Sequence, residues 1–164
     1  MKLFKKKPII ALLMFTMIIA LAGCSSKAKD ETTTNATDVP ADEFGAALEF
    51  DTVYIEDVPE IVSQSIDKLI LNRGYFKWNV DGVNYLLISS GEKPTGGYGI
   101  SVVTFGEYEG VYKVLVGEGK PGKDAVVPQM ITHPYVIIKY TGELEISEVY
   151  NELTEKFELL EAVE

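Results

Sequence analysis

A single cysteine, Cys24, closes an uncharged apolar run near the start of the chain. With no second cysteine, no disulfide can form within the chain, and neither a cysteine-based zinc site nor a thiol active site is available. Whatever folds beyond Cys24 must therefore be held by one apolar core, without covalent cross-links. The run itself, Ile9 to Ala20, follows the basic block Lys5-Lys6-Lys7-Pro8. It is shorter than the roughly 20 residues that a lasting transmembrane helix needs. A basic segment followed by a short apolar one is the layout of a secretory signal.

The run ends in Leu21-Ala22-Gly23-Cys24, which matches the bacterial lipobox of Leu, two small residues and Cys. Small residues let a signal peptidase reach the backbone, and the thiol is the nucleophile for thioether formation with a diacylglyceryl group. The expectation is a signal peptide over 1–23 and a chain anchored to a membrane through lipid on Cys24, facing outside the cytoplasm in the cell envelope. Two or more acyl chains give stable anchoring, because each buried methylene contributes about 0.8 kcal/mol. Residues 24–42 read as a disordered tether, since their Ser, Lys, Ala, Asp, Glu and Thr leave almost nothing to bury. Residues 43–164 are the size of a single globular domain.

Charge narrows the partners. Cleavage before Cys24 removes Lys2, Lys5, Lys6 and Lys7 and no acid, so 15 basic residues become 11 against 25 acidic ones, a net charge of −14. Such a surface repels nucleic acid and anionic headgroups, so no nucleic-acid partner is expected.

The patterning predicts an α+β fold. Asp57-Val58-Pro59-Glu60 has the Pro and acid of a helix start. Ile61, Val62, Ile66, Leu69 and Ile70 then recur at helical spacing, with Gly74 available to close the helix. Tyr75–Val80 and Val83–Ser90 alternate around Asp81-Gly82, a hairpin turn. Ile100–Tyr108 and Val111–Glu118 form a second such pair around Glu109-Gly110, and Gln129–Tyr140 supplies a fifth strand. From Ser147 onward, Val149, Tyr150, Leu153, Phe157 and Leu160, continuing from Ile146, read as one stripe of a second helix. The expected domain is an antiparallel sheet of about five strands with one helix before it and one after.

Two glycine-rich segments interrupt the strands: Gly91-Glu92-Lys93-Pro94-Thr95-Gly96-Gly97-Tyr98-Gly99 and Gly117-Glu118-Gly119-Lys120-Pro121-Gly122-Lys123. Neither is a phosphate loop, because the Gly-Lys-Ser/Thr ending and the following helix are both missing. The first reads equally as a recognition element and as a rigid connection. Its candidate binding residues are Lys93, Pro94, Thr95, Gly96, Gly97 and Tyr98, with His133, Pro134 and Tyr135 as a second set. His133 is the only histidine, and Ser89 and Ser90 have no nucleophile-elbow pattern around them. No catalytic residue, metal site or cofactor is expected.

The segment from Tyr85 to Tyr98, with its Gly and Thr-Gly-Gly-Tyr pattern, resembles the opening of the PrcB C-terminal domain family. Pro121 and Thr132-His133-Pro134-Tyr135 are similar to its ending, so the resemblance covers 83–139. The family is named for an accessory lipoprotein of a bacterial surface protease complex. The resemblance therefore implies a non-enzymatic module that binds an extracytoplasmic protein, a protease among the partners it would fit. A more distant similarity is to chagasin-type cysteine-protease inhibitors, which present three loops in the same order. It implies an alternative in which loops 91–99, 117–123 and 132–135 inhibit a protease. Gly96 and His133 depart from that pattern, and the loop spacing is shorter.

Overall fold

A computed structural model describes residues 46–162. The expected signal peptide, Cys24 and the expected tether lie outside the described residues.

Two sheets carry the domain. Strands β1 (Asp51–Val53), β6 (Tyr135–Thr141), β3 (Val83–Ser90) and β2 (Arg73–Val80) lie in that spatial order, all antiparallel. The second sheet is β4 (Gly99–Tyr108), β5 (Val111–Gly119) and β7 (Ile146–Asn151), with β5 and β7 parallel. Both expected hairpins form. At each tip both turn residues take positive φ, 52° and 81° at Asp81-Gly82 and the same at Glu109-Gly110. That geometry matches the twist of the flanking strands.

Strand β3 is buried on both faces, which explains its unbroken apolar run Leu86-Leu87-Ile88. Leu86 and Ile88 point between the sheets, against Phe105, Val114, Val116 and Ile138. Tyr85 and Leu87 point the other way, to helix α1 (Glu60–Leu69). The helix meets them with Val62, Ile66 and Leu69, each burial worth about 1.5–3 kcal/mol. Ile61, expected on that face, is exposed. The helix also stops short of Gly74, which lies inside β2 under the Leu160 side chain.

Two short segments join the sheets at opposite edges. Before β1, Ala47 pairs with Gly106 and the Leu48 N–H donates to the Phe105 carbonyl at 2.8 Å, tying the β1 side to β4. After β7, the tail runs between β7 and β2. The Phe157 N–H donates to Val149, the Tyr75 N–H to Glu158 and the Leu160 N–H to Tyr75, at 2.8–2.9 Å. This strap seats Phe157 in the inter-sheet core and covers part of both edges. The described residues thus make a nearly closed, seven-stranded ring with one α-helix on its outside.

The expected α+β fold with a helix after the sheet is therefore wrong. The domain is mostly β, and the stripe from Ile146 to Leu160 is a strand, a turn and a strap. A bulge misled the spacing. Ser147 is an extra residue opposite Tyr112–Lys113, so Ile146 and Val149 both face the core although they are three residues apart. Asn151 then ends the strand. Its buried Oδ1 accepts from the N–H groups of Leu153 and Glu155, and Thr154 sits at φ 63°. The fifth expected strand also shortens: β6 begins at Tyr135, because the chain before Pro134 is drawn to the glycine-rich loop instead.

Candidate functional site

The glycine-rich loop does not stand free. Lys93 and Thr132 exchange two backbone hydrogen bonds, 2.8 and 3.0 Å, and the Gly96 N–H donates to the Pro128 carbonyl at 2.9 Å. The Thr132 hydroxyl donates to the Thr95 carbonyl at 2.8 Å. Segments 91–99 and 119–134 are thereby stitched into one surface at the end of the ring where β3 and β5 stop. Pro94 and Gly97 are exposed, Lys93, Thr95 and Tyr98 are half-buried, and Gly96 is buried. Lys93 and Thr95 are thus less open to solvent than Pro94 between them. The Lys93 ammonium lies 5.9 Å from the centre of the Tyr98 ring.

The glycines have separate reasons. At Gly97, with φ +82°, a Cβ would come within 2.8 Å of Val127. At Gly96 it would press on the Pro128 ring at 3.0 Å. Only a bare backbone fits beneath the 121–128 segment. Gly99 has open space around it, so close approach does not dictate its identity.

His133, Pro134 and Tyr135 enter β6 beside this surface. All three are half-buried, and the Pro134 carbonyl accepts from the Ser90 N–H at 2.9 Å. The imidazole Nε2 of His133 is enclosed without a hydrogen-bond partner. Both serines considered as nucleophiles are engaged in the scaffold. The Ser89 hydroxyl donates to the Ile70 carbonyl and accepts from the Gly91 N–H, while the Ser90 hydroxyl donates to Glu118 at 2.6 Å.

Glu118 is the centre of a network that the sequence reading missed. Its carboxylate accepts from Ser90, from Arg73 at 2.8 Å and from Asn151 at 2.9 Å. Burial alone would raise its pKa, but the hydrogen bonds from Ser90, Arg73 and Asn151 outweigh burial and lower it. Arg73 also donates to the Lys156 carbonyl and stacks 3.8 Å from the centre of the Phe157 ring. The network lies where β2 begins and β3, β5 and β7 end, at the roots of both loops and of the strap. One signal was available: Arg73 is the only arginine in an acidic chain. Its planar fork suits several fixed acceptors at once.

The strand–loop–strand span from β3 to β6, with the Thr-Gly-Gly-Tyr loop between β3 and β4, decides the comparison. Residues 84–140 match the family described as PrcB C-terminal. The PrcB C-terminal match thus lies within one residue of the expected span at each end, and covers rather less than half of the chain. It takes in β3 to β6 and both stitched segments. Helix α1, β2, β7 and the strap fall outside it. No curated protein and no solved structure matches the chain.

A groove of about 650 Å³ lies elsewhere, beside β1 and β6, and is lined by Phe50, Tyr85, Tyr140, Asp51 and Lys139 among others. Its Asp51 and Lys139 face each other at 3.4 Å.

Proposed function

We propose that the chain is a lipid-anchored, non-catalytic binding module of the cell envelope, accessory to a protease or protease-like complex, and that it meets its partner through the stitched loop end. The observation that carries this reading is the coincidence of two independent features. The PrcB C-terminal match spans both stitched segments, and those segments carry three exposed apolar side chains, Val126, Met130 and Ile131. Exposed side chains of that kind, on segments held by backbone hydrogen bonds, favour protein contact at little cost in ordering.

Cross-linking in the native host tests the reading. A photo-reactive residue replacing Met130 should capture a discrete extracytoplasmic protein, whereas the same residue replacing exposed Gln64 on α1 should not. Capture from Gln64 and none from Met130 would place the contact on the other face and refute the assignment. The second reading, inhibition by loops 91–99, 117–123 and 132–135, is favoured by the convergence of those segments at one end. Dose-dependent inhibition of a cysteine- or serine-protease panel by the purified domain would select it over the accessory role.

A further inference from the structure

The basic side chains of the described residues divide into those with a carboxylate partner and those without. Arg73, Lys77, Lys113, Lys139 and Lys156 each sit within 4 Å of a carboxylate, and Lys68 has an interaction of its own. Among the described residues, Lys93, Lys120 and Lys123 have no carboxylate partner, and all three lie in the stitched segments. Lys120 and Lys123 flank Pro121, whose ring carbons lie 3.1 Å from where a Gly97 Cβ would stand, while Lys93 is held by Thr132. The only carboxylates in segments 91–99 and 119–134 are Glu92 and Asp124. This end therefore carries a small positive excess on a chain whose net charge is −10 even before any cleavage.

Direction matters as well. The chain enters the domain at Ala47, which pairs with Gly106. That point is seven residues along β4 from Gly99, roughly 24 Å at about 3.4 Å per residue. The loop end is thus remote from the point at which any N-terminal anchor would pull.

We infer that the loop end takes an acidic, apolar protein segment: carboxylates set against Lys93, Lys120 and Lys123, and apolar side chains against Val126, Met130 and Ile131. This rests on the loop end being the binding surface, and adds the chemistry of what binds there. Lysines without a carboxylate partner, on the same stitched segments as exposed apolar groups, steer and orient an anionic partner, and they cost no salt bridge within the domain to recruit. An anionic membrane is disfavoured, because the remainder of the domain would be repelled by it.

The test uses the domain from residue 25 onward and three fluorescent peptides of equal length: alternating Glu and Leu, alternating Gln and Leu, and alternating Lys and Leu. The Glu–Leu peptide should bind most tightly. The triple change Lys93→Gln, Lys120→Gln, Lys123→Gln should weaken it about tenfold and flatten its salt dependence, since each exposed charge adds only modestly. A thermal melt of the triple variant, expected to match wild type, separates lost charge from lost fold. Equal binding of the Glu–Leu and Gln–Leu peptides overturns the inference, as does binding to phosphatidylglycerol vesicles in preference to the Glu–Leu peptide. In the host, capture at Met130 that survives the triple change would sink the acidic-partner idea while leaving the binding surface in place. Loss of capture in both the triple variant and Val126→Ser/Ile131→Ser supports both.

Discussion

Replacing Glu118 by Ala removes the acceptor shared by β2, β3 and β7. Three hydrogen bonds are lost, from Ser90 at 2.6 Å, Arg73 at 2.8 Å and Asn151 at 2.9 Å. Bonds to a charged group contribute roughly 1.5–3 kcal/mol each when fully enclosed. This site is not fully enclosed: the Glu118 and Arg73 side chains are 19 % and 31 % exposed, so water replaces part of the loss. Arg73 also keeps the Lys156 carbonyl and the Phe157 ring. The expected cost is therefore about 2–3 kcal/mol, well short of the sum of three isolated bonds. For a domain of this size it should lower Tm by about 8–12 °C in a calorimetric melt at neutral pH. The pH dependence has a definite sign. The folded protein holds the Glu118 pKa below its unfolded value, so the stabilisation is present above the unfolded carboxylate pKa and fades as pH falls through the lowered one. Glu118→Gln should therefore be less stable than wild type at neutral pH and show a shallower loss of stability on acidification. A Glu118→Ala domain melting within about 2 °C of wild type would show that the network is incidental to stability.

Three further outcomes are expected. Phe157→Ala should cost about 3–5 kcal/mol in urea denaturation, because the ring is 4 % exposed within the core, and amide exchange at Tyr75 should accelerate beyond the global change as the strap loosens. Gly97→Ala should destabilise by about 1–3 kcal/mol, since it combines φ +82° with a 2.8 Å contact to Val127, whereas Gly99→Ala should be nearly neutral; equal effects in thermal melts would refute the close-approach argument. Cys24→Ala should abolish incorporation of labelled fatty acid and release the chain from the membrane fraction, whereas retention without label would show that the apolar run itself anchors it.

The local elements of the fold were largely legible, while its closure was not. Asp81-Gly82 and Glu109-Gly110 announced their hairpins because a two-residue turn with both φ positive leaves few residue choices. Val62, Ile66 and Leu69 announced α1 by periodicity, although Ile61 shows that an apolar residue beside the stripe need not belong to it. The C-terminal segment failed because Ser147 shifts the strand's phase by one, which turns a period of two into a spacing of three. Arg73, Ser90, Glu118 and Asn151 come from four strands far apart in sequence, so no local pattern could join them. The Thr-Gly-Gly-Tyr loop was visible as a motif, but its stitching to Pro128 and Thr132 depends on a segment whose composition resembles an ordinary strand approach.

Closing the ring with its two flanking segments sets a timetable for synthesis. β1, the first strand to leave the ribosome, pairs with β6, and the first bridging residues wait for Phe105 and Gly106. The opposite seam cannot close until residues 157–160 have emerged, after every strand they join. Through most of elongation the nascent chain holds hairpins with bare margins at β2 and β5, a state open to chaperones and to proteolysis. Any product that terminates between Asn151 and Phe157 keeps all seven strands and still lacks the seam. Such a product would hold every described strand and yet stay open along one side.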